Sequence, residues 1–282
     1  MPPHSPSKYH HFVPRLLLAG FTHDGTRHGT LHVHDRVRGR WRESSIDRAG
    51  GQNRLNDPEI EAALGLSLEG HAATAIRELV TSPHAPTDHD VGVLAAIFAI
   101  QQVRVPEHRD AVRQLESRVR AFAQQLREQH WGKEEADRRA HELEPMSKKE
   151  EGVRMLASAA RMGEFYVRLA WSLLEVPARC PDLCIGSLPA LSVKRELSGQ
   201  DSVSLGAFAE ADFSFLPITK RAAVVVSHEP ISAGRIQADA AFVARLNWAS
   251  ACFAREMYAP APTICGVDTS KPAPPPPAWS VG

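Results

Sequence analysis

Residues 88–106, DHDVGVLAAIFAIQQVRVP, form the most densely apolar helical stretch of the chain. Apolar residues occupy nearly every position from 91 to 100, so we expect this helix to be central and buried. Thr87 or Asp88 supplies an N-terminal cap, and Pro106 interrupts or kinks the helix at its other end. The stretch therefore predicts a helical core around one central helix.

Further helices are predicted on both sides of this stretch. Asp57-Pro58 begins an amphipathic helix that extends to about Val80, with the aspartate as cap and the proline in the first turn. Residues 107–131 predict a long, highly charged helix whose apolar positions should point inward: Val112, Leu115, Val119, Phe122 and Leu126. Apolar residues at helical spacing from 155 to 174 predict another core helix.

Strand patterns occur at two places in the chain. Leu31–His34 and Trp41–Ile46 alternate between apolar and polar residues around a turn, which predicts a β-hairpin. Short β-like runs between residues 183 and 228 are separated by Gly, Pro and Asp, and they predict a small, mainly antiparallel sheet. Residues 235–257 return to a helical pattern.

Together these patterns predict an α+β fold that is predominantly α-helical, with a helical core, an N-terminal hairpin and one small sheet. We expect a single domain over residues 1–259. Its parts are a His-rich box and hairpin (1–56), a helical core (57–177), a small sheet (178–230) and a C-terminal helix (231–259). Residues 260–282 are rich in proline and are predicted to be a disordered tail.

Composition and missing sequence motifs argue against several classes of protein. Lys+Arg and Asp+Glu number 33 each, so no global field favours nucleic acid. Four cysteines are too few for a disulfide scaffold in 282 residues, and we expect buried or free thiols. The chain shows neither a signal-peptide pattern nor a membrane-spanning run, which predicts a cytoplasmic protein. Dinucleotide-binding, Walker, nucleophile-elbow and zincin motifs are all missing from the sequence.

The box Tyr9–Arg15 carries the strongest chemical signal. His10 and His11 are adjacent, so a continuous strand would place them on opposite faces, and they share a site only where the strand ends or bends. Pro14 favours such an end. Imidazole titrates near neutral pH and can act as a general base, metal ligand or phosphate contact. The structural alternative is that these imidazoles cap backbone groups.

A second wall of the same site is predicted from the helices. Glu69 follows an apolar position and is expected to pair with Arg15 or Arg104 if it is partly buried. Gln101, Gln102 and Arg104 end the central helix, where polar groups often line a pocket, and the arginine fork suits phosphate or carboxylate. The alternative is a helix end that meets solvent.

His32 and His34 form a His-x-His pair on one face of a strand, a spacing that can bind a metal. The interpretation we favour places both on the solvent face of the hairpin, opposite Leu31 and Val33.

The opening box, Tyr9 to Phe21, resembles the start, HHYVPQFYLRNF, of a bacterial family catalogued as domain of unknown function 4238 (DUF4238). The similarity continues in short segments over nearly the whole chain: 68–70, 101–106, 171–174, 216–219, 246–247 and 257–258. The resemblance implies functional roles, but no reaction, for a set of matching residues: His10, His11, Arg15, Glu69, Gln102, Arg104 and Asn247. Where the family reads TSDNPV, this chain has Gly186-Ser187-Leu188-Pro189-Ala190, so an Asp and an Asn are missing.

Two functional hypotheses follow. In the first, the chain is a nuclease-like hydrolase of phosphodiester or nucleotide bonds, with nucleic acid or a nucleotide as partner. His10 or His11 would be the base, or with Glu69 would hold a divalent metal, and Arg104 would clamp phosphate charge. Substrate would be bound by the remaining polar candidates: Arg15, Gln101, Gln102 and Asn247. The box also resembles the first histidine box of HNH nucleases, although no second His follows at helical spacing.

In the second hypothesis the chain is a non-enzymatic sensor or binding protein for an anionic ligand, of the kind found in defence or toxin–antitoxin systems. The missing Asp and Asn favour this alternative. The oligomeric state is left open by the sequence.

Overall fold

The computed structural model describes residues 9–53, 55–82, 84–138, 147–195, 201–204, 211–230 and 234–270. In chain order the helices are α1 (Arg15–Ala19), α2 (Pro58–Leu64), α3 (Gly70–Thr81), α4 (Asp88–Val103), α5 (Pro106–Trp131), α6 (Lys133–Arg138), α7 (Lys148–Tyr166) and α8 (Ala240–Phe253). A π-helical turn, Gly65–Glu69, joins α2 to α3.

The strands are β1 (Tyr9–His11), β2 (Thr30–Asp35), β3 (Arg40–Ser45), β4 (Gly51–Asn53), β5 (Ala170–Glu175), β6 (Ile185–Gly186), β7 (Leu191–Arg195), β8 (Asp201–Ser204), β9 (Phe213–Thr219), β10 (Ala222–Ser227), β11 (Arg235–Gln237) and β12 (Glu256–Ala259).

These strands form three sheets within the described residues. The largest has the order β11-β5-β10-β9-β7-β8, a second has the order β3-β2-β12-β6, and β1 pairs with β4 alone. Pairing is antiparallel except between β11 and β5. The predicted hairpin is confirmed as β2 and β3. The prediction of a predominantly helical protein with one small sheet is wrong, and the fold is a mixed α+β arrangement.

The sequence predicts that Ala170–Glu175 ends a helix, whereas these residues form the strand β5. Helix α7 ends at Tyr166, and the next element, β5, is an internal strand of the largest sheet, between β11 and β10. A strand buried on both faces carries an unbroken apolar run, and such a run does not distinguish it from a buried helix. The predicted C-terminal helix is likewise shorter, because the chain enters strand β12 at Glu256.

Helix α4 is central, as predicted. Its residues from Ile97 to Val103 are all buried, and it packs against α7 and α3. Phe98 meets Tyr166 and Trp171 with ring centroids 4.8 and 6.1 Å apart, which ties the helix to α7 and to the largest sheet. Thr87 caps its first turn in a capping box with Asp90.

Helix α5 has the predicted extent but not the predicted burial. The five apolar side chains expected to point inward are between 38% and 61% exposed, so that prediction is wrong. Amphipathic spacing shows that a helix has an apolar face, but not that its own chain covers that face.

The chain remains folded beyond Ala259. Ile264 is buried, and the carbonyl of Thr269 lies 3.2 Å from His34 Nε2. The predicted tail begins at residue 260, whereas the structure describes the chain to residue 270, and residues 271–282 lie outside the described part. All four cysteines are free thiols, as expected. Among the described helices none is long and apolar enough to cross a membrane.

Candidate functional site

Strand β1 brings both histidines of the N-terminal box to one cleft. It pairs with β4 in the register Tyr9–Asn53, His10–Gln52 and His11–Gly51, and it ends at His11. Pro14 then begins helix α1 as its N-cap, with Arg15 as the first helical residue. The strand thus ends beside the histidines, as the proline predicted.

Hydrogen bonds assign the ring nitrogens of both histidines. The backbone N–H of Asn56 donates to His10 Nδ1 at 3.0 Å, so the neutral ring carries its proton on Nε2. His11 Nε2 lies 3.1 Å from the carbonyl oxygen of Ile46. A carbonyl only accepts, so His11 donates through Nε2 and its lone pair is on Nδ1.

The surroundings of His11 favour the neutral ring. Burial lowers the pKa of His11 below its ordinary value, and the Arg15 guanidinium lowers it further, against the opposing effect of the Ile46 carbonyl. Tyr9 packs edge-on against the ring, with centroids 5.3 Å apart. A neutral imidazole with an oriented N–H and a free lone pair has the features of a general base.

Arg104 lies behind this cleft and joins two glutamates. Its side chain is 1% exposed, and its Nη1 and Nη2 atoms each lie 2.9 Å from a carboxylate oxygen, of Glu69 and Glu61 respectively. Pro106 ends α4, and Arg104 is the C-cap residue of that helix. The expected partner of Glu69 is therefore Arg104 rather than Arg15. Since both of its terminal nitrogens are engaged, Arg104 positions carboxylates instead of presenting a charge to a ligand.

Asn56 extends this network toward the histidines. Its side-chain amide donates to Glu61 Oε2, and its side-chain oxygen accepts from Arg109. Its backbone N–H is the donor to His10. Arg109 also donates to the carbonyl of Leu55 at 2.7 Å. A chain of hydrogen bonds, most of them to charged groups, thus links the end of α4 and the start of α5 to the histidine box.

The first of two neighbouring clefts, called here the histidine cleft, has a volume of about 350 Å³. It is lined by Tyr9, His10, His11, Arg15, Pro58, Glu61, Ala62 and Glu69. Both histidines and both glutamates therefore open onto one space.

The second, called here the arginine cleft, has a volume of about 600 Å³. It is lined by Arg15, Leu16, Ala19, Gly20, Gly25, Arg27, Glu69, Ala73, Ile76, Arg77, Ile218 and Thr219. Arg15 and Glu69 line both clefts, so the two volumes adjoin at these residues.

The arginine cleft carries an excess of positive charge. Arg15 has an ion pair with the exposed Asp47 at 3.3 Å, and its Nε is buried without a hydrogen bond. Arg27 and Arg77 are exposed, and within the described residues neither side chain has an ion pair or hydrogen bond. An anionic group in this cleft would meet up to three guanidinium groups.

Three candidates from the sequence lie elsewhere. Asn247 is fully buried in α8, where its side chain binds the backbone of residues 182 and 184, before β6, and of residue 265, after β12, and so joins two loops. Gln102 accepts from the hydroxyl of Tyr166 at 2.9 Å in the core. Gln101 is fully buried, and neither polar atom of its side chain has a hydrogen-bond partner in the described structure. None of these three lines either cleft.

Neither histidine motif is part of a recognisable metal cluster. The described residues contain no group of three or more His, Cys, Asp or Glu side chains placed to hold a metal ion. His34 is buried against Trp41, so its predicted position on the solvent face of the hairpin is wrong. His32 is only partly buried.

The segment that differs from the family pattern is core rather than cleft. Leu188 is fully buried, and Ser187 donates to the buried carboxylate of Glu107 at 2.9 Å. Burial raises the pKa of Glu107 above its ordinary value.

Sequence reasoning missed Glu61, Arg27 and Arg77. Glu61 occupies the first turn of α2, where an acidic residue is normally explained by the helix dipole. Arg27 lies in a loop and Arg77 on an exposed helix face, where arginine is common. The one sequence feature that points to Glu61 is its position in the same predicted helix as Glu69, eight residues earlier.

Comparison with known proteins agrees with the resemblance noted in the opening box. A family model described as "Protein of unknown function (DUF4238)" matches residues 9–259. No curated protein and no solved structure matches the chain. The matched range includes every element from β1 to β12 and both clefts, and the chain therefore belongs to the DUF4238 family.

Proposed function

We propose that this chain is a hydrolase that cleaves a phosphodiester bond in a nucleotide-sized substrate. The observation that carries the proposal is the junction of the two clefts at Arg15 and Glu69, which joins a histidine base to a cluster of arginines. Each volume, about 350 and about 600 Å³, lies within the usual range for small-molecule sites, roughly 300–1,000 Å³.

His11 is the general base in this proposal. Its Nε2–H is held by the Ile46 carbonyl, which leaves Nδ1 to accept a proton. The lowered pKa keeps the ring neutral at pH 7 and able to accept that proton. This role differs from a purely structural one, because a structural imidazole needs no accessible lone pair.

The arginine cleft binds the phosphate. Arg27 and Arg77 carry charges that no described residue neutralises, and Arg15 lies between them and the histidines along the shared wall. Guanidinium groups suit phosphate oxygens in charge and in fork geometry, and they stabilise negative charge that develops in the transition state. In this proposal the exposed arginines bind the phosphate, and Arg104 does not.

In the proposed reaction, His11 removes a proton from water as the water oxygen bonds to phosphorus. The bond from phosphorus to one ester oxygen breaks, that oxygen leaves with the electron pair of the bond and takes up a proton from solvent, and His11 returns its proton to solvent. Glu61 and Glu69 are held in place by their ion pairs with Arg104 and form the part of the cleft wall next to the attacking water. A divalent metal held by His10 or His11 with Glu69 stays a prediction.

The test is hydrolysis of bis(p-nitrophenyl) phosphate and of a diadenosine dinucleotide by the purified chain, with and without added Mg²⁺. We expect His11→Asn to lower kcat by about 10²- to 10⁴-fold with little change in KM. The Arg27→Gln/Arg77→Gln variant should instead raise KM. For the wild-type chain, kcat/KM should fall as the pH is lowered through the pKa of His11.

Arg168→Gln is the matched control, because Arg168 is an exposed arginine that lines neither cleft. It should leave kcat and KM unchanged. Turnover that survives His11→Asn, or a KM that responds equally to Arg168→Gln, would contradict the proposal.

A second function, capture of an anionic ligand without catalysis, is favoured by one observation. Both glutamates of the histidine cleft are committed to Arg104. Thermal stabilisation by nucleotides that is lost in Arg27→Gln/Arg77→Gln, with no turnover of either phosphodiester, would support capture over hydrolysis.

A further inference from the structure

Helix α5 is largely uncovered by the rest of the described chain. It spans 26 residues, a length of about 39 Å, and Glu107 in its first turn is its only buried residue. The start of the helix is fixed to the body of the protein through Arg109 and through the ion pair of Arg113 with Glu151. Beyond this fixed start, no residue of the helix is buried.

The exposed apolar side chains of α5 form one narrow stripe, called here the α5 stripe. It consists of Val112, Leu115, Val119, Phe122 and Leu126. Their exposed fractions are 38, 42, 57, 61 and 48%, respectively. Successive members are three, four, three and four residues apart, which is the a/d spacing of a heptad repeat.

This spacing distinguishes between kinds of partner. A helix that lies on a membrane needs a wide apolar face and a polar face rich in Lys and Arg. A strict a/d stripe is narrower and matches the groove of a second helix. The polar residues of α5 include both acids and bases, among them Glu116 and Arg118 beside the stripe. The stripe therefore fits a helix better than a lipid surface.

A second copy of the chain offers the same stripe. A two-fold axis across α5 would place each stripe against itself, the self-complementary arrangement of most homodimers. At these exposures, the surface of the two stripes together amounts to roughly 850 Å², slightly below the roughly 1,000 Å² of a specific interface, so the residues that flank the stripe must add to the contact. The positions that flank a seam are Ala111, Glu116, Arg118, Ala123 and Gln125. These positions carry one acid and one base, so their charges sum to zero within each copy.

We propose that two copies of this chain pair through the α5 stripe, as a short two-helix coiled coil that extends from Val112 to Leu126. The pairing buries Phe122, the most exposed member of the stripe.

The test is the mass of the full chain, measured by light scattering after size exclusion over a series of concentrations. We expect twice the 30.9 kDa of one chain. The variant Val119→Glu/Phe122→Glu should shift the mass to that of one chain. Ser117→Glu, an exposed residue on the opposite side of the same helix, is the matched control and should leave the dimer intact.

A second variant, Val119→Ala/Phe122→Ala, guards against loss of the helix, because alanine is the best helix former. It should raise the dimer dissociation constant by at least tenfold with unchanged helical circular dichroism. A single-chain mass for the wild type at every concentration would overturn the proposal. The stripe would then be covered by a segment of the same chain, a lipid or a different protein. A dimer that persists in both stripe variants would overturn it as well.

Discussion

Replacing Arg104 with methionine leaves the carboxylates of Glu61 and Glu69 on one wall without the guanidinium that joins them. Arg104 is 1% exposed and each glutamate side chain is 27% exposed, and both ion-pair distances are 2.9 Å. Removal of one partner from a buried ion pair costs about 3–5 kcal/mol. Water reaches both glutamates, so we expect the lower end, about 3 kcal/mol, and a fall in Tm of about 6–10 °C.

The assay is urea unfolding followed by circular dichroism, with the slope of the transition as a check that two-state behaviour is retained. The triple variant Arg104→Met/Glu61→Gln/Glu69→Gln removes the repulsion between the carboxylates, and it should recover at least half of the loss. Arg168→Met, at an exposed arginine, should change the free energy of unfolding by less than about 0.5 kcal/mol. A loss below about 1 kcal/mol in Arg104→Met, or no recovery in the triple variant, would refute the reasoning.

Three further predictions concern His11, Gly20 and Asn247. The pKa of His11 is lowered in the folded chain, so as the pH falls below about 6.5 the unfolded chain takes up a proton that the folded chain does not. The free energy of unfolding should therefore decrease as the pH is lowered below about 6.5. Urea titrations at several pH values should show this decrease, with a smaller dependence on pH in His11→Asn. Gly20→Ala places a Cβ 2.6 Å from the carbonyl oxygen of Ile218 and should cost about 1–3 kcal/mol by thermal unfolding, whereas Gly70→Ala, which meets nothing within 4 Å, should not destabilise. An unchanged Tm in Gly20→Ala would contradict the close approach of α1 to β9. Asn247→Ala leaves buried backbone groups unpaired and should cost about 3 kcal/mol, yet nucleotide affinity below the melting temperature should match the wild type. Weaker nucleotide binding by the folded variant would contradict this and would indicate that Asn247 contributes to the site.

The helices and the hairpin were predictable because their signals are local. Thr87 and Asp57 are N-cap residues at predicted helix starts, and Pro106 separates α4 from α5. Caps and prolines act on the backbone within one turn, so they need no information from distant residues. The strand β5 was not predictable in this way, because its apolar residues match a helical repeat and a buried strand equally well.

The candidate site was predictable only in part. The sequence placed His10, His11 and Glu69 near one another and named Arg104 as one of two partners for the glutamate. It did not reveal that Glu61 takes the other half of the guanidinium. It also did not reveal that Arg27 and Arg77, distant in sequence, line a cleft together.

By itself, the sequence determined the central helix, the hairpin, the end of β1 at the histidines and the family membership. It did so because periodicity, capping and distinctive motifs are properties of neighbouring residues. Only the tertiary structure decided which charges neutralise one another and which stay open to a ligand. Ion pairing depends on distances between side chains 35 and 43 residues apart, and the chain sets those distances only when its core has packed.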